Sequence, residues 1–179
     1  ETSRVPLPPD AWGIAVTPDE RIALVSSAWT HQVSAVDLTT AKVLWSIDVA
    51  REPRGIVIKA DGATAYVTHL IGASLTRIDG IGREPKVTQV LLPPAPLRAP
   101  ANVTLAASLG YAAVLSPDEK RLFVARHALG ALGEESWFGA STVDVLLTAD
   151  DSPLAPRRRD GLPFIRADRQ QDGADLAVP

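Results

Sequence analysis

The three histidines of the chain, His31, His69 and His127, have the type and placement that could support metal chemistry. Each lies at the end of a short apolar segment or a few residues past it, so all three are expected on one rim of the molecule. Neutral imidazole is the commonest transition-metal ligand, and the pattern predicts a metal or haem-edge site there. The alternative is that each histidine bonds a backbone carbonyl or faces water, because confirmed sites usually show more closely spaced ligands.

Arginines are expected on the same rim. Arg51, Arg54 and Arg98 lie in segments that lead into apolar strands. A guanidinium group binds carboxylate or phosphate through two hydrogen bonds, so these residues are candidate anion contacts. The alternative is a solvated rim, where exposed charges contribute little.

Two of the four tryptophans are candidates for a partner surface. Trp29 and the adjacent pair Trp137 and Phe138 lie in predicted loops on this rim, and tryptophan is enriched among the residues that dominate protein interfaces. The alternative for them is packing within their own loop. Trp12 and Trp45 lie at strand positions, which predicts packing in the core or between structural units.

The elements that position these residues form an internal repeat. The sequence WGIAVTPDERIALVSSA, which begins at residue 12, recurs as RGIVIKADGATAYVTHL from residue 54 and as YAAVLSPDEKRLFVARH from residue 111. The first offset is 42 residues (54 − 12) and the second is 57 (111 − 54). Four short strands in a unit of about 40–45 residues are typical of a β-propeller blade.

The predicted fold is therefore all-β, a propeller fragment of about three four-stranded blades over residues 1–149. One outer strand at 4–8 precedes two complete units, and a third unit has three strands with no clear fourth. Proline-rich residues 93–110 and residues 128–140 are predicted insertions, and 150–179 an extended tail or linker. Because propellers typically need four to eight blades, we expect another chain, another copy or a missing segment to complete the ring.

Composition excludes several classes of protein. A hydrophobic fraction of 46% argues against a disordered chain, and a net charge of −3 gives no general reason to bind nucleic acid. No apolar run reaches the length of a membrane span. The absence of cysteine excludes disulfides, thiolate metal sites and covalent haem attachment within this chain. No nucleophile motif or phosphate-binding loop is present.

The repeats resemble those of YVTN-type β-propeller proteins. The segments AYVTH, AVDL and TRID carry the likeness, which covers about residues 10–92 and, less closely, 111–147. The resemblance implies an exported bacterial protein, periplasmic or extracellular, that acts as a binding scaffold. Similar propellers accompany di-haem cytochrome c peroxidase-type domains, and some related propellers hydrolyse lactones.

Three functional hypotheses follow. The leading one is a non-catalytic scaffold that docks a partner, such as a cytochrome-like redox subunit or domain, on its insertion-bearing face. Any metal or haem would then belong to the partner. The alternative is a metal-dependent hydrolase of lactonase type with its site at the propeller mouth, although the inner strands offer only Lys59 and small or apolar groups. The third is a homodimer that builds a six-bladed ring.

Overall fold

The computed structural model describes residues 4–93, 95–96, 104–105, 109–132 and 136–154. Side chains are described for residues 4–93, 109–127 and 141–154. Every helix or strand element in these ranges is a β-strand, and they include no helix suited to crossing a bilayer.

Blade 1 is a four-stranded antiparallel sheet whose strands pair in chain order. Its strands are β1 (Ala11–Val16), β2 (Ile22–Ser27), β3 (Gln32–Asp37) and β4 (Lys42–Asp48). Asp37 accepts hydrogen bonds from the backbone N–H groups of Thr39 and Thr40, both at 2.8 Å, and so fixes the tight β3–β4 turn. Turn geometry sets strand register here, as the alternating sequence predicts.

Blade 2 repeats this arrangement. Its strands are β5 (Pro53–Ile58), β6 (Thr64–His69), β7 (Ser74–Asp79) and β8 (Lys86–Leu91). The side chain of Asp61 accepts the N–H groups of Ala63 and Thr64 at 2.8 and 2.9 Å in the β5–β6 turn. Gly62 adopts a φ of +64° there, the left-handed conformation that glycine tolerates best.

Blade 3 follows the insertion at 93–110, where a two-stranded ribbon of β9 (Ala95–Pro96) and β10 (Thr104–Leu105) forms. Its sheet contains β11 (Leu109–Leu115), β12 (Arg121–Leu132) and β13 (Ser136–Leu147). β12 and β13 pair along their whole length. The predicted insertion at 128–140 is therefore largely a continuation of two strands and not a loop.

One prediction at the edge of a sheet is wrong. Residues 4–8 form no strand, because prolines cannot donate to a ladder; the carbonyl of Pro8 instead accepts a 3.1 Å bond from the Ser27 hydroxyl. In the described residues the sheet of blade 3 has three strands, as predicted, and beyond β13 one isolated antiparallel bridge pairs Leu146 with Pro153. Leu147 N–H donates to Ser152 at 2.8 Å and Leu154 N–H donates to Val145 at 2.7 Å, so residues 152–154 pair with β13.

The core lies between blades. One apolar cluster joins blades 1 and 2, and another joins blades 2 and 3. The first contains Leu24, Val33, Ala35, Ala65, Val67, Ile78 and Ile81. The second contains Tyr66, Leu75, Val90, Leu92, Leu122, Val124 and Leu146. The blades are thus stacked face to face in the order 1–2–3.

The stack has two open outer faces. Leu24 faces blade 2, so the neighbouring Val25 and its strand partner Ile14 face away, because side chains alternate along a strand. The same reasoning places Val114 and Val143 on the outer face of blade 3. Ile14 is 68% exposed and Val143 is 64% exposed. Both ends of the stack therefore present apolar sheet surface.

Candidate functional site

The segments that lead into β1 and β5, with the β2–β3 and β6–β7 turns, form one surface that we call the lead-in face. At its centre the Arg54 guanidinium lies over the Trp12 ring, 4.0 Å from the ring centroid. Arg54 also donates a 2.8 Å hydrogen bond to the Glu52 carboxylate. A cation on an indole face is stabilised by the ring quadrupole, so Trp12, Arg54 and Glu52 form one connected contact across blades 1 and 2.

Two histidines hold the segment between blades 1 and 2. His31 Nδ1 lies 2.9 Å from the Ala28 carbonyl oxygen and 3.2 Å from the Glu52 N–H nitrogen. One ring nitrogen cannot donate to the first and accept from the second at the same time. A proton on Nδ1 therefore removes the bond to Glu52, which links the tautomer of His31 to the position of this segment.

His69 is buried, and both of its ring nitrogens are hydrogen-bonded within the chain. Its Nδ1 lies 3.1 Å from the Arg51 carbonyl oxygen and its Nε2 lies 2.8 Å from the Thr76 hydroxyl. Burial lowers the pKa of His69 to about 4, with a smaller lowering from the nearby His31, while backbone hydrogen bonds oppose the shift. His69 is therefore neutral at physiological pH and bonds through both nitrogens to the chain itself.

His127 lies apart from this pair, within β12 of blade 3. Its Nδ1 is 3.1 Å from the Ser141 hydroxyl on the paired strand. Across the part of the chain that the structure describes, no three histidine, aspartate or glutamate side chains form a group that could hold a metal ion. The structure thus brings His31 and His69 to the same segment and leaves His127 on another blade.

The other predicted contact residues differ in their surroundings. Trp29 is 77% exposed in the β2–β3 turn, and Arg51 is exposed in the segment that leads into β5. The side chains of Trp137 and Phe138, and all of Arg98, lie outside the described residues. The described residues of the lead-in face therefore supply an exposed aromatic group and a cation.

The two remaining tryptophans differ in burial. Trp45 packs against the cluster between blades 1 and 2 and donates a 2.9 Å bond to the Ile81 carbonyl, as its strand position predicts. Trp12 is 63% exposed, so it is not a core residue. Its ring instead contacts Arg54 of blade 2, which agrees with the other predicted role, packing between structural units.

One repeated position was missed by the sequence reasoning. The last residue of β2, its counterpart in β6 and the corresponding residue of β12 are Ser27, His69 and Arg126, at offsets of 42 and 99 residues. Each bonds the carbonyl of the segment that leads into its own blade, namely Pro8, Arg51 and Pro93. Alignment of the repeats by these offsets would have shown that His69 occupies an anchoring position.

Comparisons with known proteins establish the fold. Neither a family model nor a curated protein matches the chain. Hydrazine synthase of Kuenenia stuttgartiensis matches with a TM-score of 0.65 and 24% identity over 86% of this chain and 38% of that one. The RRP9 WD40 repeats match with a TM-score of 0.54 and 12% identity over 84% of this chain and 40% of that one.

A putative 6-phosphogluconolactonase from Bacteroides fragilis also matches, with a TM-score of 0.53, 16% identity, and 86% and 40% coverage of the two chains. The chain thus spans about two fifths of the length of these propeller structures. Such likenesses show fold alone. Together with the stacked sheets they confirm the predicted architecture: this chain is a three-blade fragment of a β-propeller.

Proposed function

We propose that the chain is a non-catalytic propeller scaffold that shares a ring with further blades and docks a partner protein on its lead-in face. The main support is that the outer faces of blades 1 and 3 are both apolar and exposed, and a closed ring would bury them. Exposed apolar sheet surface of this kind marks an interaction site, since soluble proteins rarely leave it uncovered.

The lead-in face has the chemistry of a docking surface. Trp29 is exposed in a turn, Arg51 is exposed, and Trp12 with Arg54 forms a cation–aromatic contact on the same face. Aromatic and arginine side chains dominate interface energetics when a partner desolvates them. The described residues here offer contact groups and no assembled set of metal ligands.

For the partner we propose a cytochrome c-type redox subunit or domain, in an exported, periplasmic or extracellular setting. The resemblance of AYVTH, AVDL and TRID to YVTN-type repeats supports this choice, because similar propellers accompany di-haem cytochrome domains. No haem site within this chain is needed, since the redox centre would belong to the partner.

The test is to isolate the native assembly and measure its mass and its absorption spectrum. We expect a mass well above the 19.0 kDa of this chain and a haem spectrum from the co-purifying partner. Trp29→Ala should weaken partner binding by about 30-fold, the effect of losing one interface hot spot. Leu44→Ala, at an exposed position of β4, is the matched control and should change the affinity little. A monodisperse monomer without a partner would contradict the proposal.

A further inference from the structure

The junction between blades 1 and 2 contains a specific contact between a buried hydroxyl and a backbone carbonyl. The Ser26 hydroxyl accepts a 2.8 Å bond from Gly13 N–H and donates a 2.7 Å bond to the carbonyl of Arg54 in blade 2. A Cβ at Gly13 would lie 2.1 Å from that carbonyl oxygen, a distance that real Cβ atoms essentially never show. Glycine is therefore required for this approach of the two blades.

The junction between blades 2 and 3 repeats this contact. Here the Thr68 hydroxyl accepts a 2.9 Å bond from Gly55 N–H and donates a 3.3 Å bond to the carbonyl of Tyr111 in blade 3. A Cβ at Gly55 would lie 3.1 Å from the same carbonyl oxygen. We call this arrangement the glycine–hydroxyl lock: a glycine in the first strand and a Ser or Thr in the second that bonds the carbonyl of the following blade.

Blade 3 lacks both parts of the lock. The positions equivalent to the glycine and the hydroxyl are Ala112 and Ala125, which pair directly across β11 and β12. Both are exposed on the outer face of blade 3, whereas Ser26 and Thr68 are fully buried. A following blade of the same type would meet a methyl group where the other two junctions have none, and it would find no hydroxyl donor.

The outer face of blade 1 resembles the face of blade 2 that packs against the preceding blade and accepts its lock. Ile14 and Val16 are equivalent to Ile56 and Ile58 of blade 2, which pack into the cluster between blades 1 and 2. In blade 1 they are instead 68% and 45% exposed. Trp12 stands at the position whose carbonyl accepts the lock in both observed junctions.

We infer that the outer face of blade 1 binds a propeller blade from outside this chain that carries its own glycine–hydroxyl lock. This inference rests on the proposed sharing of a ring and names the class of partner and the face it binds. A second copy would have to present blade 3, which has no lock. Residues 155–179 number 25, fewer than the 42 of one repeat, so these residues alone are too few for a whole blade.

The experiment extends the full chain by one blade. A copy of residues 53–92, which carries Gly55 and Thr68, is fused ahead of residue 1, and Ile14→Cys provides a single thiol in a chain without cysteine. We expect the added blade to slow labelling of that thiol at least tenfold and to raise the melting temperature. The matched control is the same fusion with Gly55→Val and Thr68→Ala in the added copy only, which should leave labelling fast.

Tryptophan emission of the fusion without the cysteine substitution gives a second measurement when it is compared with the same fusion carrying Trp12→Phe, because the chain has four tryptophans. Burial of the outer face of blade 1 should shift the Trp12 part of the emission to shorter wavelength. Equal protection by the lock-free control would overturn the inference, as would an unprotected thiol in both fusions. A closed dimer of the Ile14→Cys chain without an added blade, with its thiol protected, would also overturn it in favour of a second copy. That last result leaves a shared ring intact, whereas a partner-free native monomer would refute the proposed function itself.

Discussion

The hydroxyl of Tyr66, buried in blade 2, donates a 2.7 Å hydrogen bond to the carboxylate of Asp151, which lies just beyond the last full strand of blade 3. The second oxygen of the same carboxylate accepts a 3.0 Å bond from Arg77, also in blade 2. One turn residue thus ties blade 3 to its neighbour through two charge-assisted bonds. Burial, and then the bond to Asp151, raises the pKa of Tyr66 far above its usual value.

Removal of this carboxylate should loosen the junction between blades 2 and 3. Asp151→Ala leaves the buried Tyr66 hydroxyl without its acceptor and leaves Arg77 paired only with Asp79, so we expect the free energy of unfolding to fall by about 2–3 kcal/mol. Urea denaturation measures the loss. Asp150→Ala is the control, because that exposed carboxylate bonds only Ser152 and its own turn, and its effect should be clearly smaller. Equal losses in the two variants would contradict a specific tie between blades.

Stability should depend on pH through His69. Because the pKa is lowered in the folded state from 6.5 to about 4, the unfolded chain binds the proton more tightly. The stabilisation is fully present above pH 6.5 and is lost as the pH falls toward 4, by about 3 kcal/mol in total. Denaturation from pH 7.5 to 4 measures the slope. His69→Gln should flatten it relative to the natural chain, whereas His127→Gln should leave it unchanged; parallel slopes for all three would contradict this assignment.

A buried ion pair should make Arg126 one of the most sensitive positions. Its side chain is almost fully buried, bonds the Asp144 carboxylate and reaches the carbonyl of Pro93. Arg126→Met leaves Asp144 buried without a partner, and the expected cost is about 3–5 kcal/mol. At the equivalent position of blade 1, Ser27→Ala removes one neutral bond and should cost only about 1 kcal/mol. Urea midpoints compare the stability of the two variants. Equal losses of stability would show that the charged side chain of Arg126 stabilises its blade no more than the neutral hydroxyl of Ser27 does.

Much of this fold follows from the sequence because local rules determine it. Alternating apolar residues and aspartate turns fix the strands of blades 1 and 2, where the structure has the two four-stranded units that the repeat predicts. The extension of β12 and β13 could not be predicted, because cross-strand pairing over Ala128 to Ala140 depends on a partner strand and not on a local turn signal. The role of Asp151 could not be predicted either, since nothing local indicates that it reaches Tyr66, 85 residues away in the chain.

The histidines, too, could be predicted only in part from the sequence. Sequence placed His31 and His69 near one rim, and both do contact the segment between blades 1 and 2. Their role there is backbone hydrogen bonding, which a residue count cannot distinguish from metal binding. The burial that lowers the pKa of His69 comes from the facing blade, so only the packed structure reveals it.

The glycines of the two locks should respond unequally to a single methyl group. Gly13→Ala places Cβ 2.1 Å from a backbone carbonyl oxygen, which must move, so we expect a loss of more than about 3 kcal/mol. Gly55→Ala meets its carbonyl at 3.1 Å, where a shift of a few tenths of an ångström suffices, and should cost about 1 kcal/mol.

Gly82→Ala is the matched control for both, because its Cβ would make only an ordinary 3.7 Å contact with Ile22. Thermal and urea denaturation of the three variants would rank the junctions directly. If Gly13→Ala and Gly82→Ala were equally stable, the close approach of blades 1 and 2 would not depend on glycine. The required order, with Gly13 the most sensitive, follows from the approach of the Arg54 carbonyl and from nothing in local strand propensity.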